Sequence, residues 1–266
     1  MSILVAPRAV QSFGKWSGLA TLGLIYFALA WLALMSLNHD PLSGVPDGLT
    51  LAHYAELFGE KRWVDPLLAS IMIGLLVGLT VMVLATLVGR AVPRSSKPGR
   101  IVLMSLLPLF IPGIALGAAL FIFLRMFLDL ELGFWSIFIG HVVWAFPFSF
   151  LFVLVLTTRF DYRLLDAAAD LGASRWRVFW DIEFPLLRPG VIGAGIFGFL
   201  VSFNEGQRAI FLRGDATTLP IWNWMMASSE QSQVPIIFCL ETLVLLVALP
   251  TIAITFWTMM VKLDRD

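Results

Sequence analysis

Charge is scarce in this chain. Its 266 residues hold 18 Lys and Arg and 18 Asp and Glu, or 14% charged, against 59% apolar. A soluble domain carries about 25% charged residues. Too few polar side chains remain to cover a water-facing surface, so the chain reads as an integral membrane protein. Net charge is +0, so no basic excess draws it to nucleic acid. The single cysteine, Cys239, lies inside an apolar run. That excludes a disulfide framework and a cysteine metal site. No GxxxxGK[ST] phosphate loop occurs, so the chain has no nucleotide-hydrolysing motif of its own. Asp166 and Asp170 stand at helical spacing, but with no third ligand and no His or Cys nearby they do not make a metal site.

Six apolar runs fill the rest, over residues of about 17–37, 67–92, 101–128, 134–157, 190–211 and 236–261. Each is near the roughly 20 residues that a membrane-crossing helix needs. The predicted fold is all-α: six transmembrane helices in a single domain over residues 1–266. The first run exceeds a signal-peptide core of roughly 7 to 15 residues and reads as an uncleaved span. Gly74 and Gly78 in the second form a small-xxx-small pair that lets another helix approach closely. Pro108, Pro112 and Gly113 interrupt the third. Between the first two runs, LTLAHYAELFGEKRW suggests a short interfacial helix with Trp63 at headgroup level. Residues 212–235, holding TTLP and IWNWMM, read as a loop. Its Trp222, Trp224, Met225 and Met226 make an outer interface belt, a contact for the binding protein or a gate to the path.

The distribution of basic residues orients this scheme. With both termini inside, Lys61, Arg62, Arg125, Arg208 and Arg213 fall outside, and the other thirteen of the 18 Lys and Arg fall inside. Inner loops carry the basic excess, so the polar stretch within 158–189 is expected in the cytoplasm.

That stretch, DYRLLDAAADLGASRWRVFWDIEFPLLRP over 161–189, is patterned as two short helices. Asp161 suits a helix start, because a carboxylate accepts from free backbone N–H groups. Leu164, Leu165, Ala168 and Leu171 recur at helical spacing. Gly172 suits a left-handed helix end. Ser174 suits a second start, with Trp176, Phe179, Trp180 and Ile182 on one face. Pro185 and Pro189 are expected to stop this second helix before the fifth span. Two readings are open on the pattern alone: an amphipathic helix resting on the inner leaflet, or an L-shaped lever that plugs into a partner's groove.

The spacing D166-A-A-x3-G172-x9-I182-x-F184-P185 resembles the EAA loop of the membrane subunits of bacterial ABC importers, type I permease class. Asp166 stands where that family usually has Glu, and Phe184 where it usually has Leu. LGFWSIFIGH, RLLDAAADLGAS and TTLP are most similar to the second permease of spermidine/putrescine-type importers. The resemblance implies a coupling helix that docks into an ATPase through Arg163, Asp166, Ala167, Ala168, Gly172, Ser174 and Trp176. It implies two ATPase subunits, a second permease chain forming a heterodimer, and an external solute-binding protein. ATP and Mg would sit on the ATPase, with no cofactor in this chain. The location implied is the bacterial cytoplasmic (inner) membrane.

Charges inside spans usually face a cavity or a partner. Asn204, Glu205, Gln207, Arg208 and Glu241 are therefore the candidate substrate path. Glu205 and Arg208, three residues apart on one helical face, either pair structurally or line the path. Glu241 either faces the path or pairs with another helix. His141 is expected to be hydrogen-bonded within the bundle. Polyamine-type permeases tend to carry adjacent acidic residues where this chain has Asn204-Glu205 followed by Arg208. The cargo implied is a small polar organic solute, polyamine-like or an amine bearing an anionic group that Arg can hold, moved inward by alternating access. The competing class is a membrane enzyme or channel using the intramembrane carboxylates. Neighbouring genes for an ATPase and a binding protein distinguish the two.

Overall fold

In the computed structural model, residues 8–263 are described. Arg265, one of the basic residues behind the orientation above, lies outside them, as do both chain ends. The described residues are helical apart from turns, loops and one isolated bridge between Asn38 and Leu49. Among the described residues, five helices are long and apolar enough to cross a membrane, or six if one sharply bent pair counts as a span. The chain divides into two compact units, one of residues 62–224 and one of the described residues up to 61 and from 225 on.

The 62–224 unit is built on three long helices: α3 (Val64–Ala91), α6 (Phe134–Arg159) and α9 (Phe184–Phe203). Lipid tails are as apolar as leucine, so burial from water cannot drive these helices together. Close packing and interhelical hydrogen bonds must do so. The Gly74/Gly78 pair serves as anticipated. A Cβ on Gly78 would lie 2.7 Å from the Gly195 carbonyl oxygen of α9. Between α6 and α9, the Ser149 hydroxyl donates to the Ala194 carbonyl at 2.8 Å. Ala85, Phe150, Val153 and Ala194 are buried together at this junction. Leu68, Leu75, Leu79 and Leu87 on the outward face of α3 are each more than half exposed, as suits a surface solvated by lipid.

The third run is interrupted at its prolines, as expected, and falls into two pieces; the fifth run and the 212–235 loop are corrected. α4 (Pro98–Leu106) ends in a 3-10 turn, Leu107–Phe110, and α5 (Gly113–Phe121) continues as a π turn, Ile122–Phe127. The halves are bent by 98°. Pro112 cannot donate to the ladder and forces Ile111 into extended backbone, φ −91 and ψ 124.

The fifth span is also displaced: its helix covers Phe184–Phe203 and not 190–211. Pro185 and Pro189 do not stop the helix before it. α8 (Arg175–Val178) runs through a π turn, Phe179–Glu183, straight into α9. Pro185 follows directly on that π turn, where the hydrogen-bond ladder is already irregular and a missing N–H is accommodated.

Lastly, the 212–235 loop contains a helix, α11 (Leu219–Ser229), whose Leu219 N–H donates to the Ser70 hydroxyl at 2.7 Å. Trp222 is buried, so it is not part of an exposed aromatic belt, whereas Trp224 is exposed.

The other unit holds α1 (Arg8–Met35), α2 (Ala52–Gly59) and α12 (Val234–Leu263). α2 is the short helix expected between the first two runs, and its Leu57 is fully buried. Tyr54 Oη meets Ser36 Oγ at 2.7 Å, and the Cys239 thiol donates to the Ser36 carbonyl at 3.4 Å. Asn38 organises the following turn, donating to the Asp40 and Val45 carbonyls and accepting from the Asp47 N–H.

Gly78→Leu should force α3 off α9, at a cost of about 1–3 kcal/mol or more. A Cβ at Gly18 meets nothing within 4 Å, so Gly18→Leu should leave the melting temperature of the detergent-solubilised protein unchanged while Gly78→Leu lowers it.

Candidate functional site: the lever, its anchor and the broken fifth span

The polar stretch folds as the capping residues dictate. Asp161 Oδ1 accepts from the Arg163 N–H at 3.1 Å and opens α7 (Arg163–Asp170). Gly172 then takes φ +82, a left-handed conformation that costs glycine nothing. Its N–H donates to the Ala169 carbonyl at 2.9 Å and the Ala173 N–H to the Ala168 carbonyl at 3.0 Å. This is a Schellman end. Ser174 is extended, and its hydroxyl accepts from the Arg177 N–H at 3.4 Å to start α8.

The result is a bent lever continuous with the fifth span. Arg163, Asp166, Ala167, Gly172, Ser174 and Trp176 are all exposed. Ala168 is not; it is buried and shapes the lever from inside. Two large apolar side chains stand free at the bend, Leu171 at 89% and Trp176 at 71% exposure. Trp176, Trp180 and Phe184 then stack edge-on in series, with centroids 5.5 and 5.0 Å apart, down to the membrane helix.

A buried charge anchors the lever, and sequence reasoning missed it. Glu183, in the π turn, is only 3% exposed. Arg90 near the end of α3 grips it in bidentate fashion, Nε to Oε1 at 2.8 Å and Nη2 to Oε2 at 2.6 Å. Arg94 Nη2 adds a bond to Oε1 at 3.3 Å, and its Nη1 donates to the Arg90 carbonyl. The same two guanidiniums lie over aromatic rings, Arg90 over Phe179 at 4.5 Å and Arg94 over Tyr162 at 5.2 Å. Tyr162 Oη donates to the Thr157 carbonyl at the end of α6. Burial pushes the Tyr162 phenol above its ordinary pKa, with Arg94 pulling it down. The only signal available beforehand was an acid in the aromatic-rich run Phe179-Trp-Asp-Ile-Glu-Phe184 and a basic pair more than 80 residues earlier.

At the other end of α9 the helix stops at Phe203, and α10 (Ala209–Leu212) starts after a break. Glu205 and Arg208 therefore do not share a helical face as expected; they span the break. Glu205 Oε1 accepts the Arg208 N–H at 2.9 Å, and Oε2 accepts Arg208 Nη1 at 2.5 Å. Both side chains are buried, 6% and 4% exposed, and the guanidinium lies 3.6 Å from the Trp144 ring centroid. Glu205 and Arg208 thus form an ion pair within the fold. Asn204 and Gln207 are exposed, and the Asn204 amide closes α9 by donating to the Leu200 carbonyl. His141 is buried, with Nδ1 2.8 Å from the Ser202 hydroxyl, as expected for a histidine within the bundle. Glu241 is half-buried on α12, in the other compact unit.

Removing one partner of a buried pair strands the other charge, at about 3–5 kcal/mol. Arg208→Met should accordingly lower thermal stability strongly. Glu205→Gln combined with Arg208→Met should recover part of the loss, because no charge is left unpaired.

Comparison with known proteins fits this architecture. Residues 70–262 match the family described as binding-protein-dependent transport system inner membrane component. The spermidine/putrescine transport system permease protein PotC of Escherichia coli (strain K12) is 28% identical over 232 residues, 85% of this chain and 80% of that one. The trehalose/maltose transport system permease protein MalG of Thermococcus litoralis is 27% identical over 237 residues, 79% and 84% of the two chains. The putrescine transport system permease protein PotI of Escherichia coli (strain K12) is 24% identical over 254 residues, 91% and 88%. Among solved structures, a bacterial ABC transporter involved in import of the acidic polysaccharide alginate superposes with TM-score 0.70 at 13% identity, covering 95% of this chain and 98% of that one. The resemblance carried by the loop motif is borne out, and the chain belongs to the family of binding-protein-dependent transport system inner membrane components, as an importer permease.

Proposed function

We propose that this permease serves an ATP-driven importer in which the lever of residues 161–183 receives the stroke of a separate ATPase subunit. The observation that carries the reading is the lever itself. It is a charged, capped, bent helix pair with Leu171 and Trp176 bare at its bend, joined to the fifth span by unbroken helix. Large apolar side chains on a polar projection suit a protein groove. Arg163, Asp166, Ala167, Gly172, Ser174 and Trp176 form the docking surface, with Ala168 supporting them from within. On this reading ATP and Mg belong to a pair of ATPase subunits. A second permease chain completes the membrane path, and an external binding protein delivers the cargo. The lever and both chain ends face the cytoplasm.

The cargo is a small polar organic solute. PotC and PotI are named for polyamines and MalG for trehalose and maltose, which supports the breadth of that class. Glu205 and Arg208 neutralise each other in the interior, so neither presents a free charge to a passing ion. Asn204 and Gln207 are the exposed polar groups at this level, and we assign them to the path. The same pairing weighs against a membrane enzyme built on Glu205, because that carboxylate is already occupied.

Leu171→Asp removes an apolar contact worth about 1.5–3 kcal/mol when buried. Gly172→Pro removes both the left-handed conformation and the N–H of the helix end. Each variant should still fold in membranes yet retain the ATPase subunit at least tenfold less well in co-purification. Undiminished retention by both would sink the lever reading.

A further inference from the structure

Glu183 does more than hold the lever in place. Its carboxylate is buried at the root of the lever, yet the arginines that hold it come from the last turn of α3 (Arg90) and from the turn just after it (Arg94). Arg94 also reaches the Tyr162 ring, and Tyr162 is bonded to the last turn of the fourth span. One acid and two guanidiniums therefore tie together the lever-side ends of α3, α6 and α9. The lever has a covalent attachment to the fifth span and an ionic attachment to the second.

The chemistry of the attachment suits transmission. A guanidinium gripping a carboxylate through two parallel N–H bonds fixes orientation as well as distance. With Glu183 at 3% exposure, little competing water reaches it. Letting go would leave a carboxylate stranded in an apolar surround, so the bond holds its geometry under load. The adjoining groove between α3 and α9, about 210 Å³, is lined mainly by apolar side chains such as Met82, Leu87, Phe184 and Val191, together with Thr86 and Arg90 itself. Thr86 spends its hydroxyl on the Met82 carbonyl of its own helix.

We infer that the Arg90–Glu183–Arg94 cluster is a positioning unit that makes the end of the second span move with the lever. The inference rests on the lever receiving the ATPase stroke. It adds that the stroke reaches α3 through this ion pair, and that helix packing alone does not carry it. The three residues touch no cargo; they act by setting the position of α3.

The test uses the assembled permease–ATPase complex in nanodiscs, on a Cys239→Ser background. Spin labels are placed at Arg177 on the lever and Leu87 at the end of α3. Both positions are exposed. Each label is measured against a third at Met126, also exposed, on the π turn after α5. In the otherwise native complex, ATP is expected to shift both the 177–126 and the 87–126 distances. In Glu183→Gln, which keeps the side-chain volume, the 177–126 shift should persist while the 87–126 shift falls at least threefold. A purely stabilising ion pair would lower the melting temperature without changing the ratio of the two shifts.

An 87–126 shift that survives Glu183→Gln in full overturns the inference and leaves the lever reading intact. If the 177–126 distance does not respond to ATP in the native complex, the lever reading itself fails, and the inference with it. Should Glu183→Gln not fold, Arg94→Gln removes the outer and more exposed bond. It should reduce the 87–126 shift by a smaller factor, and an unchanged shift again overturns the inference.

Discussion

A backbone without water must satisfy its own hydrogen bonds, and the rest of this structure depends on how that is done. Helices manage it along their length, so irregular backbone at membrane depth survives only where protein covers it. Two breaks fall inside apolar runs of the 62–224 unit, at Ile111–Pro112 before α5 and at residues 204–208 after α9. They are stacked against each other. A Cβ on Gly113 would lie 2.6 Å from Gln207 Oε1, and one on Gly117 would lie 3.1 Å from the Arg208 Cα. Small residues on one broken segment admit the other. Glu205 then accepts the Arg208 N–H that the interrupted helix leaves open, so one carboxylate serves both a backbone donor and a buried cation.

The same requirement explains what was legible in the sequence. Features decided within a few residues could be read directly. The Schellman end at Gly172, the Ser174 start and the close approach at Gly78 follow from local chemistry and stand where the residues put them. So does the pairing of Glu205 with Arg208, although its setting was misplaced on a helix face. Prolines were harder. Pro112 bends the chain, whereas Pro185 leaves its helix unbroken, because it follows directly on a π turn where the ladder is already irregular. The residue type is the same, and only the hydrogen-bond frame around it differs. The helix at 219–229 was hidden for a related reason. Its start is held by Ser70, some 150 residues earlier, and no local pattern shows that bond. Glu183 and Arg90 are 93 residues apart, and sequence distance conceals their pairing in the same way.

The two clusters built on the buried carboxylates Glu183 and Glu205 also differ in what they leave over. Glu205 and Arg208 cancel, and both are buried, which suits a position deep within the fold, where a surplus charge would be expensive. Glu183 meets two arginines, so its cluster carries one cation in excess. The surplus sits on the more exposed partner, Arg94, at 44% against 26% for Arg90. A cation at a span end can reach headgroups or water at little cost, and basic residues gather at the inner ends of spans. Charge balance in the interior and charge excess at the lever end therefore follow from a single rule about where an ion can be solvated. That rule leaves the lever-side ion pair strong enough to hold a joint and close enough to water to be built there.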